Sequence, residues 1–241
     1  MSHAQSATFI RSVFFAVTAS FATTCFADDV KTEVPTAEVR SAITQSAAAC
    51  GMSLMLGVGL SAASGFRVFV PFLGISIANF AGHLTLAPGF EWMGSWPALL
   101  AFATATILEI AIYFVPWIDN ITDAFATPLA IVAGTILTAS QIGEMSHLLQ
   151  WSLALIAGGG VCGVVQVGTV AIRAVSTGTT GGFGNFLVAT LELIAAVVVT
   201  VLAVVLPVVG IIAVVWITYK MLLKIIASKS MLYRKPQAVG A

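Results

Sequence analysis

From Ala47 to Ile226 the chain runs as a series of apolar stretches separated by short polar turns. The clearest lies between Trp96 and Trp117, 21 residues apart. On a helix that distance is about 31 Å, roughly the hydrocarbon thickness of a bilayer. Tryptophan favours both interfaces, so the pair brackets a span and leaves Glu109 near its middle. Before it, the pattern predicts a pair of helical pieces over Ala47–Gly82, interrupted at Gly59–Arg67. They read equally as a re-entrant pair or as two full spans. A loop follows over His83–Ser95, turning at Pro88-Gly89. After a polar turn holding Asp119, Asn120 and Asp123, the next span opens on Thr127-Pro128 and ends near Met145. A fifth apolar stretch covers Trp151–Ala174, and a polar glycine loop, STGTTGGFGN, covers Ser176–Asn185. Two last spans, Phe186–Leu206 and Val208–Ile226, are parted by Pro207. The expected fold is all-α: a polytopic transmembrane helical bundle of about six to seven membrane segments with a broken or re-entrant first segment.

Composition sharpens this reading. The chain is 59% hydrophobic and 8% charged, with a mean hydropathy of +1.04. A soluble domain carries about 25% charged residues, so most of this surface is expected to face lipid. The net charge is zero, which argues against a nucleic-acid partner. Lys220, Lys224, Lys229, Arg234 and Lys235 crowd the C-terminus, whereas Asp28, Asp29, Glu33 and Glu38 lie near the N-terminus. Positively charged flanks stay inside, so residues 229–241 form an expected basic cytoplasmic tail. Residues 1–27 resemble a signal peptide: Arg11, an apolar run over Ser12–Phe26, and Cys25-Phe26-Ala27 as a cleavage site. Residues 28–46 then form a polar extracytoplasmic tail or surface helix, and residues 47–228 the transmembrane domain. The expected location is a bacterial inner (cytoplasmic) membrane.

Ionisable groups inside apolar spans are costly, and they are functional candidates by default. Arg67, Glu109, Arg173 and Glu192 are the leading ones. Asp119, Asn120 and Asp123 join them as cation- or proton-handling groups, although Asn120 as a helix C-cap and Asp123 or Thr127 as an N-cap account for them more simply. Thr180 and Asn185, in the glycine loop, could help present backbone amides to an anion at the start of a helix; a plain turn is the simpler reading. The loop lacks the lysine of a phosphate-binding P-loop. Glu144 and His147 make a single ExxH spacing, and a di-metal bundle needs two. Cys50 and Cys162 sit in apolar runs with no CxxC partner, so no metal, redox pair or cofactor is expected.

The halves 47–148 and 150–228 echo each other: Arg67, Glu109 in ATILEI and Thr127-Pro128 in the first; Arg173, Glu192 in VATLEL and Leu206-Pro207 in the second. Halves with odd numbers of crossings insert in opposite senses, the inverted-repeat plan of many transporters. Three crossings each would total six, whereas the leader and basic tail ask for an odd total. The break near Ser61–Gly65 could supply the seventh.

The segments GLSAASGFRVFVPFL, PGFEWMGSWPALLA, LEIAIYFVPWIDN, ATPLAIVAG and TGTTGGFGNFLVATLEL resemble a bacterial membrane-protein family, domain of unknown function 4126, over about residues 50–228. The resemblance implies an integral membrane fold. It draws attention to Arg67, Glu109, Asp119, Asn120 and the Thr179–Asn185 loop, and carries no agreed activity.

Three functions fit these observations. A small secondary transporter or lipid-type flippase would use Arg67 and Arg173 on an anionic small molecule or headgroup, with Glu109 and Glu192 as counter-ions or proton carriers. A structural or assembly protein would use the same pairs only to lock helices. An ion channel would line its pore with the glycine loop and acidic turn. No HExxH, paired Ser/His or cofactor fingerprint points to an enzyme. Membrane lipid is an expected partner, and a homo-oligomer stays open.

Overall fold

The computed structural model describes the backbone of residues 37–113, 118–143 and 145–233, and side chains at 45–46, 48–112, 125–143, 145–212 and 214–221. The expected signal peptide, Trp117, Glu144, the side chains of Asp119, Asn120 and Asp123, and the side chains of the basic tail lie outside these residues. The chain divides into two compact units, Met1–Gly51 and Met52–Ala241. In the first, the described residues are helical from Ala37. The second contains the packed bundle and its buried charges.

Among the described residues the fold is all-helical. Its helices are α1 (Ala37–Ser64), α2 (Phe69–Phe80), α3 (Trp96–Tyr113), α4 (Ile118–Ala139), α5 (His147–Thr180), α6 (Asn185–Val205) and α7 (Pro207–Tyr233). A short 3₁₀ turn, Glu91–Gly94, precedes α3, and Ala154–Gly159 forms a π-helical turn within α5. Two of these, α5 and α6, are long and apolar enough to cross a membrane.

The C-terminal part of α1 is the axle of the bundle. Every residue from Leu56 to Val68 is buried, so this segment has no outward face. Its small residues permit that closeness. Leu56 and Leu60 join a core with Phe72, Met93, Leu137 and Cys162, while Val58, Ala62 and Phe66 join a second core with Val165, Val199 and Val214. Ser61 donates to the Gly134 carbonyl of α4 at 2.5 Å and meets Thr138 Oγ1 at 2.7 Å.

The first apolar segment is a hairpin. Gly59 of α1 lies against Ala203 of α6, and Arg67 reaches Ala189, further back along that helix. Gly74 of α2 is level with Thr200 again, so α2 returns the way α1 came. The reversal occupies Gly65–Val68, slightly later than the sequence pattern places it. A Cβ on Gly65 would lie 2.6 Å from Val165 Cβ and 2.8 Å from the Cys162 carbonyl, so this turn presses backbone against α5 and only glycine fits.

The remaining helices alternate in direction. Phe80 packs on Trp96 and Phe72 on Phe102, which sets α3 antiparallel to α2. Cys162 donates to the Ala130 carbonyl at 2.9 Å and Gln150 to the Ala139 carbonyl at 2.9 Å, pairing α4 with α5. Met221 packs on Gly168, which brings α7 alongside α5. The end of the bundle where α1 turns into α2 is its hairpin end.

Two sequence-based boundaries change. The helix α4 begins at Ile118 and carries Pro128 in its interior, so Asn120, Asp123 and Thr127 are not cap positions. A proline costs one backbone hydrogen bond, a loss that helix packing can offset. Helix α5 continues to Thr180, through the first half of the expected glycine loop. Thr179 and Thr180 donate back to carbonyls of the preceding turn, and the helix stops only at Gly181 and Gly182, where φ is 64° and 96°.

Candidate functional site

The charged centre is built at the hairpin end from three elements. Arg67 sits in the α1–α2 turn, Arg173 lies two turns before the end of α5, and Glu192 lies two turns into α6. Their side chains are 1, 2 and 5% exposed. Arg173 holds Glu192 with two donors: Nε reaches Oε1 at 3.1 Å, and Nη2 binds Oε2. Arg67 Nη2 lies 3.8 Å from the same Oε2 and donates to the Ala189 carbonyl at 2.9 Å. Ala189 and Glu192 are three residues apart on α6, so one face of that helix receives both arginines. The planar guanidinium suits this role because its forked donors match a carboxylate.

Glu109 belongs to the same end but binds differently. Its carboxylate accepts the backbone amides of Val68 at 2.7 Å and Phe69 at 3.0 Å. These residues open α2, where amides have no partner within the helix. Pro71, in the same first turn, has no amide to satisfy. A carboxylate there also meets the positive end of the helix dipole. Glu109 therefore anchors the backbone directly after Arg67, and its carboxylate also feels the charges of Arg67 and Arg173. It stands one turn from the described end of α3.

The two halves thus use their charges unequally. Glu192 binds guanidinium, Glu109 binds backbone; Arg67 lies in a helix break, Arg173 within a helix. The bonding does not reproduce the correspondence read from the sequence.

The glycine loop forms a turn. Thr180 Oγ1 accepts the Gly184 amide at 2.8 Å, Asn185 donates to Thr177 Oγ1 at 2.9 Å, and the Asn185 amide reaches the Gly182 carbonyl at 3.1 Å. Those amides, expected to serve an anion, are spent on closing the α5–α6 connection. Sequence reasoning missed Ala189 because its contribution is a carbonyl, which no residue type announces. Likewise it missed Val68 and Phe69, whose amides matter only because α2 starts there. Among the described residues no group of three or more metal-ligating side chains occurs.

On the outside the bundle is apolar: Ile107, Phe125, Ile156, Val175 and Ile212 are 66, 71, 72, 67 and 63% exposed. An apolar exterior thus surrounds a buried Arg–Glu centre, in a helical bundle with two helices long and apolar enough to cross a membrane. The chain belongs to the family described as Domain of unknown function (DUF4126), which matches residues 54–225. That stretch runs from α1 into α7 and contains Arg67, Glu109, Arg173 and Glu192. No curated protein and no solved structure matches the chain.

Proposed function

We propose that this chain is a small polytopic membrane protein that moves an anionic small molecule or lipid headgroup through the Arg67–Glu192–Arg173 centre. One observation carries the reading: three almost fully buried ionisable side chains, from three elements, meet at the tip of a broken hairpin inside an apolar bundle. Charges so fully buried in protein are expensive to maintain, and ionisable groups held within membrane proteins characteristically mark substrate or proton pathways. Discontinuous helices are a recurrent way of building such sites. In this mechanism Glu192 is the resident partner of both guanidiniums. An incoming phosphate or carboxylate competes for the same forks, and Glu192 is released, taking up a proton as it leaves the pair. Glu109 keeps the hairpin tip, and hence Arg67, in place.

The test uses proteoliposomes of the full chain. Two probes are followed: dithionite-accessible fluorescent phosphatidylglycerol and uptake of labelled inorganic phosphate. Wild type is expected to accelerate at least one of them over empty vesicles. Arg67→Ala and Glu192→Gln should each reduce that rate at least tenfold while circular dichroism stays unchanged. Wild-type rates from both variants would remove the model, as would an inert wild type.

A second reading, a helix lock, is favoured by one specific feature: the two-donor contact of Arg173 with Glu192 joins neighbouring helices in a fixed geometry. Replacing Arg67, Arg173 and Glu192 together by apolar residues of similar volume separates the two. A lock keeps much of its stability after the replacement, whereas a substrate site loses transport.

A further inference from the structure

The outer face of α7 changes character along its length in the order of a lipid molecule. Val208, Ile212 and Val215 are exposed near its start. Trp216 and Tyr219 follow, 62 and 41% exposed, and then Lys220, whose Nζ stands 5.7 Å from the centre of the Trp216 ring. Spacings of three and four residues put these side chains on one strip of helix. Acyl chain, ester region and phosphate succeed one another in the same sequence across a leaflet, and aromatic residues followed by lysine are the side chains that match the last two.

Depth agrees with this assignment. On α5, Trp151 is exposed at the end opposite the hairpin, and Arg173 is 22 residues further on, a rise of about 33 Å. A hydrocarbon layer of roughly 30 Å that begins at Trp151 therefore ends near Arg173. Met221 packs on Gly168, which puts Lys220 about 9 Å short of that level. Lys220 thus lies just inside the edge of the apolar layer, a depth from which the long lysine stem carries its ammonium to the headgroups.

We infer that Trp216, Tyr219 and Lys220 form a docking site for an anionic phospholipid on the outside of the bundle at the hairpin end. The phosphate sits on Lys220, the indole N–H and phenol hydroxyl face the ester region, and the acyl chains lie along Ile212 and Val208. The inference rests on the membrane reading above but not on transport, and its readout is binding alone.

The full chain, purified in a nonionic detergent, is titrated separately with phosphatidylglycerol and with phosphatidylcholine of the same acyl chains. Bound lipid is counted by native mass spectrometry, with water-soluble glycerol phosphate as competitor. Wild type is expected to prefer phosphatidylglycerol, and Lys220→Ala to weaken that preference about fivefold, the effect of one basic residue near a charged headgroup. Lys220→Arg should retain it, and Trp216→Leu should lower retention of both lipids. Should Lys220→Ala not fold, Lys220→Gln carries the same measurement. Equal affinity for the two lipids, an unchanged preference in the lysine variant, unchanged retention in the tryptophan variant, or displacement by glycerol phosphate overturns the site. So does a dimer mass in wild type that Trp216→Leu abolishes, since a second copy would then cover this face.

Discussion

Arg173 and Glu192 face each other across the α5–α6 hairpin with two donors on two carboxylate oxygens, and the same carboxylate lies within 3.8 Å of Arg67. A buried pair of this kind is best judged by what remains when one member is removed. Glu192→Ala leaves two guanidiniums without that carboxylate in a low-dielectric interior, at a cost of about 3–5 kcal/mol. Thermal unfolding in detergent should show a clear fall in midpoint, larger than for Glu192→Gln, which keeps the shape and some hydrogen bonding. Equal midpoints for the alanine variant and wild type would contradict the pairing.

Glu109 acts on backbone, so its loss should be seen in backbone. Removing a carboxylate cap costs about 1–2 kcal/mol. In Glu109→Ala the amides of Val68 and Phe69 are expected to exchange hydrogen roughly tenfold faster, while amides in α6 stay protected. Unchanged exchange at both positions would mean that the cap does not form in solution.

The hairpin turn is intolerant of bulk. Gly65→Ala drives a methyl against Val165 and the Cys162 carbonyl, and overpacking of a rigid core costs about 1–3 kcal/mol. Gly160→Ala meets nothing within 4 Å and should be neutral or stabilise by up to about 1 kcal/mol through helix propensity. Comparing the two unfolding midpoints separates close packing from a general effect of replacing glycine.

The α5–α6 connection is a conformational requirement rather than a packing one. Gly181, with φ of 64°, also has open space around it. Even so, Gly181→Ala should destabilise by about 1 kcal/mol, because a Cβ disfavours left-handed backbone. Gly178→Ala, in the last turns of α5 with equal space, should not. If both variants behave alike in thermal unfolding, the turn is not formed as described.

Much of this protein was legible in its sequence. Apolar runs located the helices of the bundle, because solvation of a helix by apolar surroundings needs long stretches without charge. Rare ionisable residues inside those runs named Arg67, Glu109, Arg173 and Glu192 as the centre, because burial without a partner is too costly to be accidental. Boundaries were less legible. Pro128 read as a helix start, although a proline within a packed helix loses only one hydrogen bond. Ser176–Thr180 read as loop, yet the hydroxyls of Thr179 and Thr180 bond back to the helix, which runs on to Thr180.

Partner choice was decided by tertiary structure alone. The sequence reading set both glutamates beside the two arginines as counter-ions or proton carriers. The return of α2 alongside α1 instead brings Arg67 to the face of α6 that already holds Arg173, and leaves Glu109 opposite two newly exposed amides. Residue types fix which charges must be buried; the path of the backbone determines which of them meet, since an ion pair requires contact within a few ångströms and sequence separation carries no information about distance between helices.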